Sequence, residues 1–265
     1  MAKYFALARM VSMEDEGASQ REHFGHLYLQ GISKIAAMKI VITGANRGIG
    51  LELTRQYLAR GDSVYAGART PGRARELAAL LAPSGGRLQL HACDVSLEAS
   101  VRTFASTVSE PIDVLINNAG VRSRPDSLEA LDLDDAARTF QVNALGALRV
   151  TSALLPMLRR SAGAKIANIT SGLGSIADNT SGGSYGYRMS KAALNMATRS
   201  LAQDLRAEGL IAVVLSPGWV QTDMGGSEAP TPVAESAAGL IGLIDRLTLQ
   251  DSGTFLDFRG GPIAW

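Results

Sequence analysis

Val41-Ile42-Thr43-Gly44-Ala45-Asn46-Arg47-Gly48-Ile49-Gly50 runs a β-branched segment straight into a glycine-rich turn, and residues 49–60 continue it as a helical stretch. Strand, turn and helix in this order put a helix N-terminus, with its unpartnered N–H groups, at a strand end where an anion can bind. Gly44 permits the turn, Gly48 lets the backbone approach a pyrophosphate, and Gly50 allows close packing of helix on strand. A plain tight turn would use the same glycines without needing the flanking strand and helix. The stretch therefore predicts the dinucleotide-binding start of an α/β fold.

Working outward, short apolar runs at 39–43, 63–68, 87–92, 112–117, 164–170, 211–216 and 254–258 read as strands. Between them, 48–60, 71–82, 97–108, 134–160, 186–208 and 233–247 read as helices long enough for right-handed crossovers. The expected fold is a doubly wound, mostly seven-stranded parallel sheet with helices on both faces, Rossmann-like. Gly182, Gly183 and Gly186 mark a flexible approach to the fifth helix. The stretch 225–232 reads either as a lid over a ligand or as an ordinary surface loop.

A chain of 265 residues fits one large domain better than two small ones. Its 26 Lys plus Arg nearly cancel 25 Asp plus Glu, so no global field draws it to nucleic acid or an anionic membrane. A small neutral or mildly polar ligand fits better. The single cysteine, Cys93, reads as a buried structural thiol, which favours a reducing, cytoplasmic location. No apolar run reaches membrane-spanning length, and the N-terminus lacks the order of a signal peptide. Residues 1–37 carry neither periodicity nor motif and are expected to be a disordered or extraneous extension, with the domain at 38–265. His23 and His26 could reach one metal at their spacing, but with no further ligands nearby they read as two exposed histidines, and no metal site is expected.

The second strand ends Ala66-Gly67-Ala68-Arg69-Thr70, without the acidic residue that would accept the ribose hydroxyls of NAD(H). Arg47 and Arg69 can converge on a 2′-phosphate instead, which points to NADP(H), unless both simply face solvent. Asp94 is placed to hold the adenine amino group. Asn118, Ala119 and Gly120 follow the fourth strand, where they can steady the glycine turn and the ribose. Asn46, Ile49, Val95, Pro217, Gly218 and Val220 complete the expected cofactor lining, with Thr222 reaching the nicotinamide carboxamide. Trp219 and Met224 read as pocket walls or as core.

Tyr187 and Lys191 stand four apart and share one helix face, so the ammonium can favour the ionised phenol. Tyr185 has Met189 at the equivalent spacing. With Ser171 upstream, the pair reads as acid–base machinery for hydride transfer, although Ser171 could cap a turn, Asn143 could satisfy a helix kink, and Tyr185 could be the pocket aromatic.

The ordered set Thr43-Gly44-x-x-x-Gly48-x-Gly50, Asn117-Asn118-Ala119-Gly120, Asn143, Ser171, Tyr187-x-x-x-Lys191 and Pro217-Gly218 resembles the short-chain dehydrogenase/reductase family over almost everything after residue 38. Residues 174–179, 182–196, 217–226 and 253–258 are similar to its C-factor and sniffer-type carbonyl reductase branch. The chain departs from that pattern in its N-terminal segment and in a long Ser171-to-Tyr187 stretch. The resemblance implies that Lys191 also binds the nicotinamide ribose and that Asn143 anchors a water linking Lys191 to solvent. It also implies a homodimer or homotetramer formed through the helices near 134–160 and 186–208. The expected activity is NADPH-dependent reduction of a ketone or aldehyde to an alcohol, with Asn143, Ser171, Tyr187 and Lys191 as the catalytic set. Alternatives are an NAD-dependent alcohol dehydrogenase and a C-factor-like signalling protein that binds the nucleotide without needing turnover.

Overall fold

The computed structural model describes residues 37–124 and 127–265. Its strands are β1 (Lys39–Thr43), β2 (Ser63–Ala68), β3 (Leu88–Ala92), β4 (Val114–Asn117), β5 (Lys165–Ile169), β6 (Ile211–Ser216) and β7 (Phe255–Asp257). Its α-helices are α1 (Gly48–Arg60), α2 (Arg75–Ala78), α3 (Glu98–Ser106), α4 (Leu133–Phe140), α5 (Gly146–Leu158), α6 (Tyr185–Asp204) and α7 (Val233–Arg246). The strands lie in the order β3-β2-β1-β4-β5-β6-β7 and pair in parallel throughout. This is the expected doubly wound sheet. Strand order reverses between β1 and β4, and a crevice opens at their carboxyl ends.

Alternation along each strand supplies two cores. Ile40 and Ile42 turn toward Leu53 and Tyr57 of α1 and Leu240 and Ile244 of α7. Val41 turns the other way, into the cluster containing Phe104 of α3 and Val150 and Leu154 of α5. Burial on both faces is why residues 211–215 of β6 read as an uninterrupted apolar run, and the whole strand is buried.

Two expected helices differ. The 71–82 segment forms a 3-10 turn at Pro71–Arg73 and then only the four residues of α2, because Gly72 and the Pro83, Gly85, Gly86 sequence disfavour continuation. The 134–160 segment is interrupted by a π-helical turn at Gln141–Leu145 between α4 and α5. His23, His26 and nearly all of the expected extension lie outside the described residues. Among the described residues no helix is long and apolar enough to cross a membrane, and no group of three or more His, Cys, Asp or Glu could hold a metal ion.

Candidate active site

A cleft of about 460 Å³ opens at the switch point of the sheet, bounded by the β1 turn, the ends of β2 to β5 and the Pro217–Met224 loop. Its floor is the glycine turn. Gly44 takes φ +65°, which a side chain would strain, and a Cβ on Gly50 would fall 2.4 Å from both the Gly44 carbonyl and the Asn118 Nδ2. Asn118 braces the turn, its Nδ2 donating to the Thr43 and Gly44 carbonyls at 3.0 and 3.1 Å. Helix α1 has neither a capping side chain nor an acidic residue in its first turn. Its N–H groups and positive dipole end are left for an anion, so the residues fit a dinucleotide's pyrophosphate.

At one end of the cleft lie three guanidiniums, those of Arg47, Arg69 and Arg73. The sequence pointed to the first two. Arg73 was missed because it sits on the 3-10 turn that the sequence reads as ordinary helix. Arg47 is not free in this structure: its Nη1 pairs with Asp223 at 3.1 Å, and both side chains are largely exposed. Asp94 lines the same end and accepts hydrogen bonds from the N–H and Oγ of Ser96 at 3.0 and 2.6 Å. Cys93 lines the cleft beside it, its thiol pushed up to about 12 by burial, then by the Asp94 charge.

At the other end Tyr187 and Lys191 line the cleft from α6, whereas Tyr185 does not. Their ammonium and ring lie 5.7 Å apart, Nζ to centroid. Lys191 is buried, donates to the Ile169 carbonyl at 2.9 Å, and is pushed down to about 8 by desolvation. Burial also raises the Tyr187 phenol above its ordinary value, opposed by a hydrogen bond with Ser171 and by the charge of Arg122. The expected lowering by Lys191 therefore differs from what the protein's own groups produce. Desolvation dominates both partners, and the opposing groups are Ser171 and Arg122.

Ser171 serves two geometries at once, since its Oγ also accepts from the Leu173 N–H at 3.2 Å and so caps a turn. Asn143 lies in the π turn, behind the cleft wall. Its Oδ1 accepts from Val121 N–H, and its Nδ2 donates to the Val121 carbonyl and to Ser190 Oγ. Helix α6 starts from Ser184, the one non-glycine residue with positive φ (50°) among the described residues.

Asn46, Gly48, Ile49, Val95, Asn118, Ala119, Gly120, Pro217, Thr222 and Met224 line the cleft as expected from their positions. Gly50, Gly218 and Val220 do not: Gly50 packs beneath the turn, Gly218 packs beside Phe258, and Val220 is buried and bridges Thr231. Trp219 is exposed, with its indole N–H donating to the Gly225 carbonyl at 2.7 Å. Val121, Val142, Ile169 and Thr170 line the cleft without a signal of their own in the sequence. The loop after Met224 contributes no lining residue.

A doubly wound parallel sheet with this glycine cradle at its switch point defines the Rossmann-like class. The model of the family described as short chain dehydrogenase matches residues 38–232, and the chain belongs to that family of oxidoreductases. It is 54% identical over 166 residues to the C-signal of Myxococcus xanthus, covering 62% of this chain and 100% of that protein. The carbonyl reductase Sniffer of D. melanogaster superposes with a TM-score of 0.83 at 33% identity, over 86% of this chain and 100% of that one. The NADPH-bound carbonyl reductase from chicken fatty liver does so at 0.81 and 35% identity, over 86% and 99%. The likeness to the C-factor and sniffer-type branch is thus borne out.

Proposed function

We propose that this protein is an NADPH-dependent reductase of a ketone or aldehyde. The observation that carries the reading is that Tyr187, hydrogen-bonded to Ser171 behind the lining, and Lys191 line one end of a cleft whose other end holds Arg47, Arg69 and Arg73. Similarity to an NADPH-bound carbonyl reductase supports the cofactor. The glycine turn and the α1 N-terminus would hold its pyrophosphate, the three arginines its 2′-phosphate, Asp94 its adenine, and Lys191 and Thr222 its nicotinamide half. When bound, it supplies a hydride.

The chain's own residues handle the proton. A phenol is protonated at neutral pH and burial raises Tyr187 further, so its O–H can donate to the carbonyl oxygen as negative charge builds there. Ser171 holds that oxygen with a second hydrogen bond. Lys191, pushed down to about 8, can return a proton near physiological pH. Asn143 positions this centre by tying Val121 to Ser190, and the water relay implied by resemblance would use its remaining acceptor capacity. A small-molecule carbonyl substrate, a homodimer or homotetramer and a cytoplasmic location complete the reading.

Purified protein assayed with NADPH against a carbonyl panel tests the proposal. Tyr187→Phe should lower kcat by roughly a hundredfold to ten-thousandfold. Undiminished turnover by that variant overturns the mechanism. The similarity to a protein named C-signal favours a second reading, a nucleotide-binding signalling protein. Biological activity retained by a Ser171→Ala protein that binds NADPH without turning over would establish it.

A further inference from the structure

Resting on the carbonyl reductase reading, we infer that Asn195 is the positioning residue that fixes Ser171 against Tyr187 and Lys191, by holding the chain on both sides of Ser171 with one buried amide. Its Oδ1 accepts from Thr170 Oγ1 at 2.8 Å, and its Nδ2 donates to the Gly174 carbonyl at 3.1 Å. The amide can face only this way. A carbonyl oxygen has no proton to give, so Nδ2 must meet Gly174, and Oδ1 is left for the threonine hydroxyl. Thr170 and Asn195 are both buried, so water is poorly placed to replace either bond.

Helix geometry brings the amide to this place. Tyr187, Lys191 and Asn195 follow one another at i, i+4 spacing and share one face of α6. Lys191 Nζ donates to the Ile169 carbonyl at 2.9 Å, so that face grips Ile169, Thr170 and Gly174 together. Ser171 lies between Thr170 and Gly174 at the start of a single turn, where the Gly174 N–H donates to its carbonyl at 2.9 Å and the Leu173 N–H to its Oγ at 3.2 Å. The turn sits directly on the helix. A Cβ on Gly174 would fall 2.9 Å from Lys191 Cβ and 3.2 Å from Asn195 Nδ2. Thr170 lines the active-site cleft, whereas Asn195 lines a separate cleft of about 280 Å³ with Gly174 and Met196, and not that one. Its influence on the reaction therefore passes through the residues it holds. Without the amide, Thr170 and Gly174 lose the bonds that orient them, and the Ser171 hydroxyl loses the support behind its hydrogen bond with Tyr187.

The test is a cycle of Ser171→Ala, Asn195→Leu and the two together, the leucine being of similar size and unable to make either bond. With NADPH and an aldehyde that the wild type reduces, Asn195→Leu should lower kcat about tenfold to a hundredfold and leave the dissociation constant of NADPH nearly unchanged. In the Ser171→Ala background the same change should alter kcat little, because the hydroxyl that Asn195 positions is already gone. A purely structural residue would lower the denaturation midpoint without this dependence of kcat on Ser171. Losses in kcat that multiply across the cycle, or an undiminished kcat in Asn195→Leu, overturn the positioning role while leaving carbonyl reduction intact. Should Asn195→Leu not fold, Asn195→Ser, too short to span both partners, is scored by the same cycle. If the wild type reduces no carbonyl compound, nuclear magnetic resonance of tyrosine-labelled protein separates the two ideas. The ring resonances of Tyr187, assigned by their loss in Tyr187→Phe, should move in Asn195→Leu toward their positions in Ser171→Ala. Resonances unmoved by Asn195→Leu remove the positioning role, whatever the protein's activity.

Discussion

Asn143 holds Val121 by both of its backbone groups, accepting from the N–H and donating to the carbonyl, each at 2.8 Å. One side chain thereby joins the π turn to the loop after β4, and its further bond to Ser190 joins both to α6. Asn143→Ala leaves these groups without their partners, at about 1–3 kcal/mol for each group that water cannot reach. Urea denaturation should show a loss of about 2–4 kcal/mol. A loss within error would mean that water replaces the amide and that the loop does not depend on it.

Lys191 and Tyr187 act oppositely on stability as pH rises. The folded Lys191 value, about 8, lies below its ordinary 10.5, so between these limits the unfolded chain binds more protons and stability rises with pH. Tyr187 is raised above 10.0, so above that pH the unfolded chain binds fewer protons and stability falls. The difference curve between wild type and Lys191→Met isolates the first effect. It should change by roughly 3 kcal/mol from pH 8 to 10.5, in the wild type's favour as pH increases. A flat difference curve would show that Lys191 titrates at its ordinary value and that the folded protein keeps it solvated.

Gly50 tolerates no side chain, because an added Cβ would meet Asn118 and the Gly44 carbonyl at once. The carbonyl is backbone and cannot swing away. Gly50→Ala should cost about 1–3 kcal/mol or more and push Asn118 off the turn it braces. NADPH fluorescence titration of the folded variant should show weakened binding. Unchanged stability and affinity together would mean that α1 slides along β1 without disturbing the cradle.

The strands were legible because a sheet covered on both faces needs apolar runs such as 211–215, which little else in a soluble fold requires. Tyr187 and Lys191 were readable as neighbours because helix geometry alone sets an i, i+4 pair. The π turn at Gln141–Leu145 was not, since it accompanies Asn143 reaching a loop 22 residues away. The desolvation that raises Tyr187 was not readable, because spacing gives proximity whereas desolvation depends on everything packed around the pair.

Cofactor choice should turn on Arg69, Arg73 and the competition for Arg47. Each charge-assisted contact to a phosphate is worth about 1.5–3 kcal/mol, so Arg69→Ala and Arg73→Ala should each lower the NADPH-to-NADH ratio of kcat/KM by roughly tenfold to a hundredfold. A ratio unmoved by either change returns the protein to the NAD-dependent alternative. Arg47 poses a different question, because Asp223 already engages it at 3.1 Å. An ion pair this exposed contributes at most about 1 kcal/mol, so Asp223→Asn should leave the denaturation midpoint nearly unchanged. It does release a guanidinium at the mouth of the cleft and remove a negative charge from the phosphate's approach. NADPH should then bind several-fold more tightly, by an amount that shrinks as salt screens both effects, while NADH affinity stays nearly constant. Equal tightening toward both cofactors would place the effect in the Thr222 to Met224 segment itself, and Asp223 would then be a support of that segment instead of a rival for Arg47.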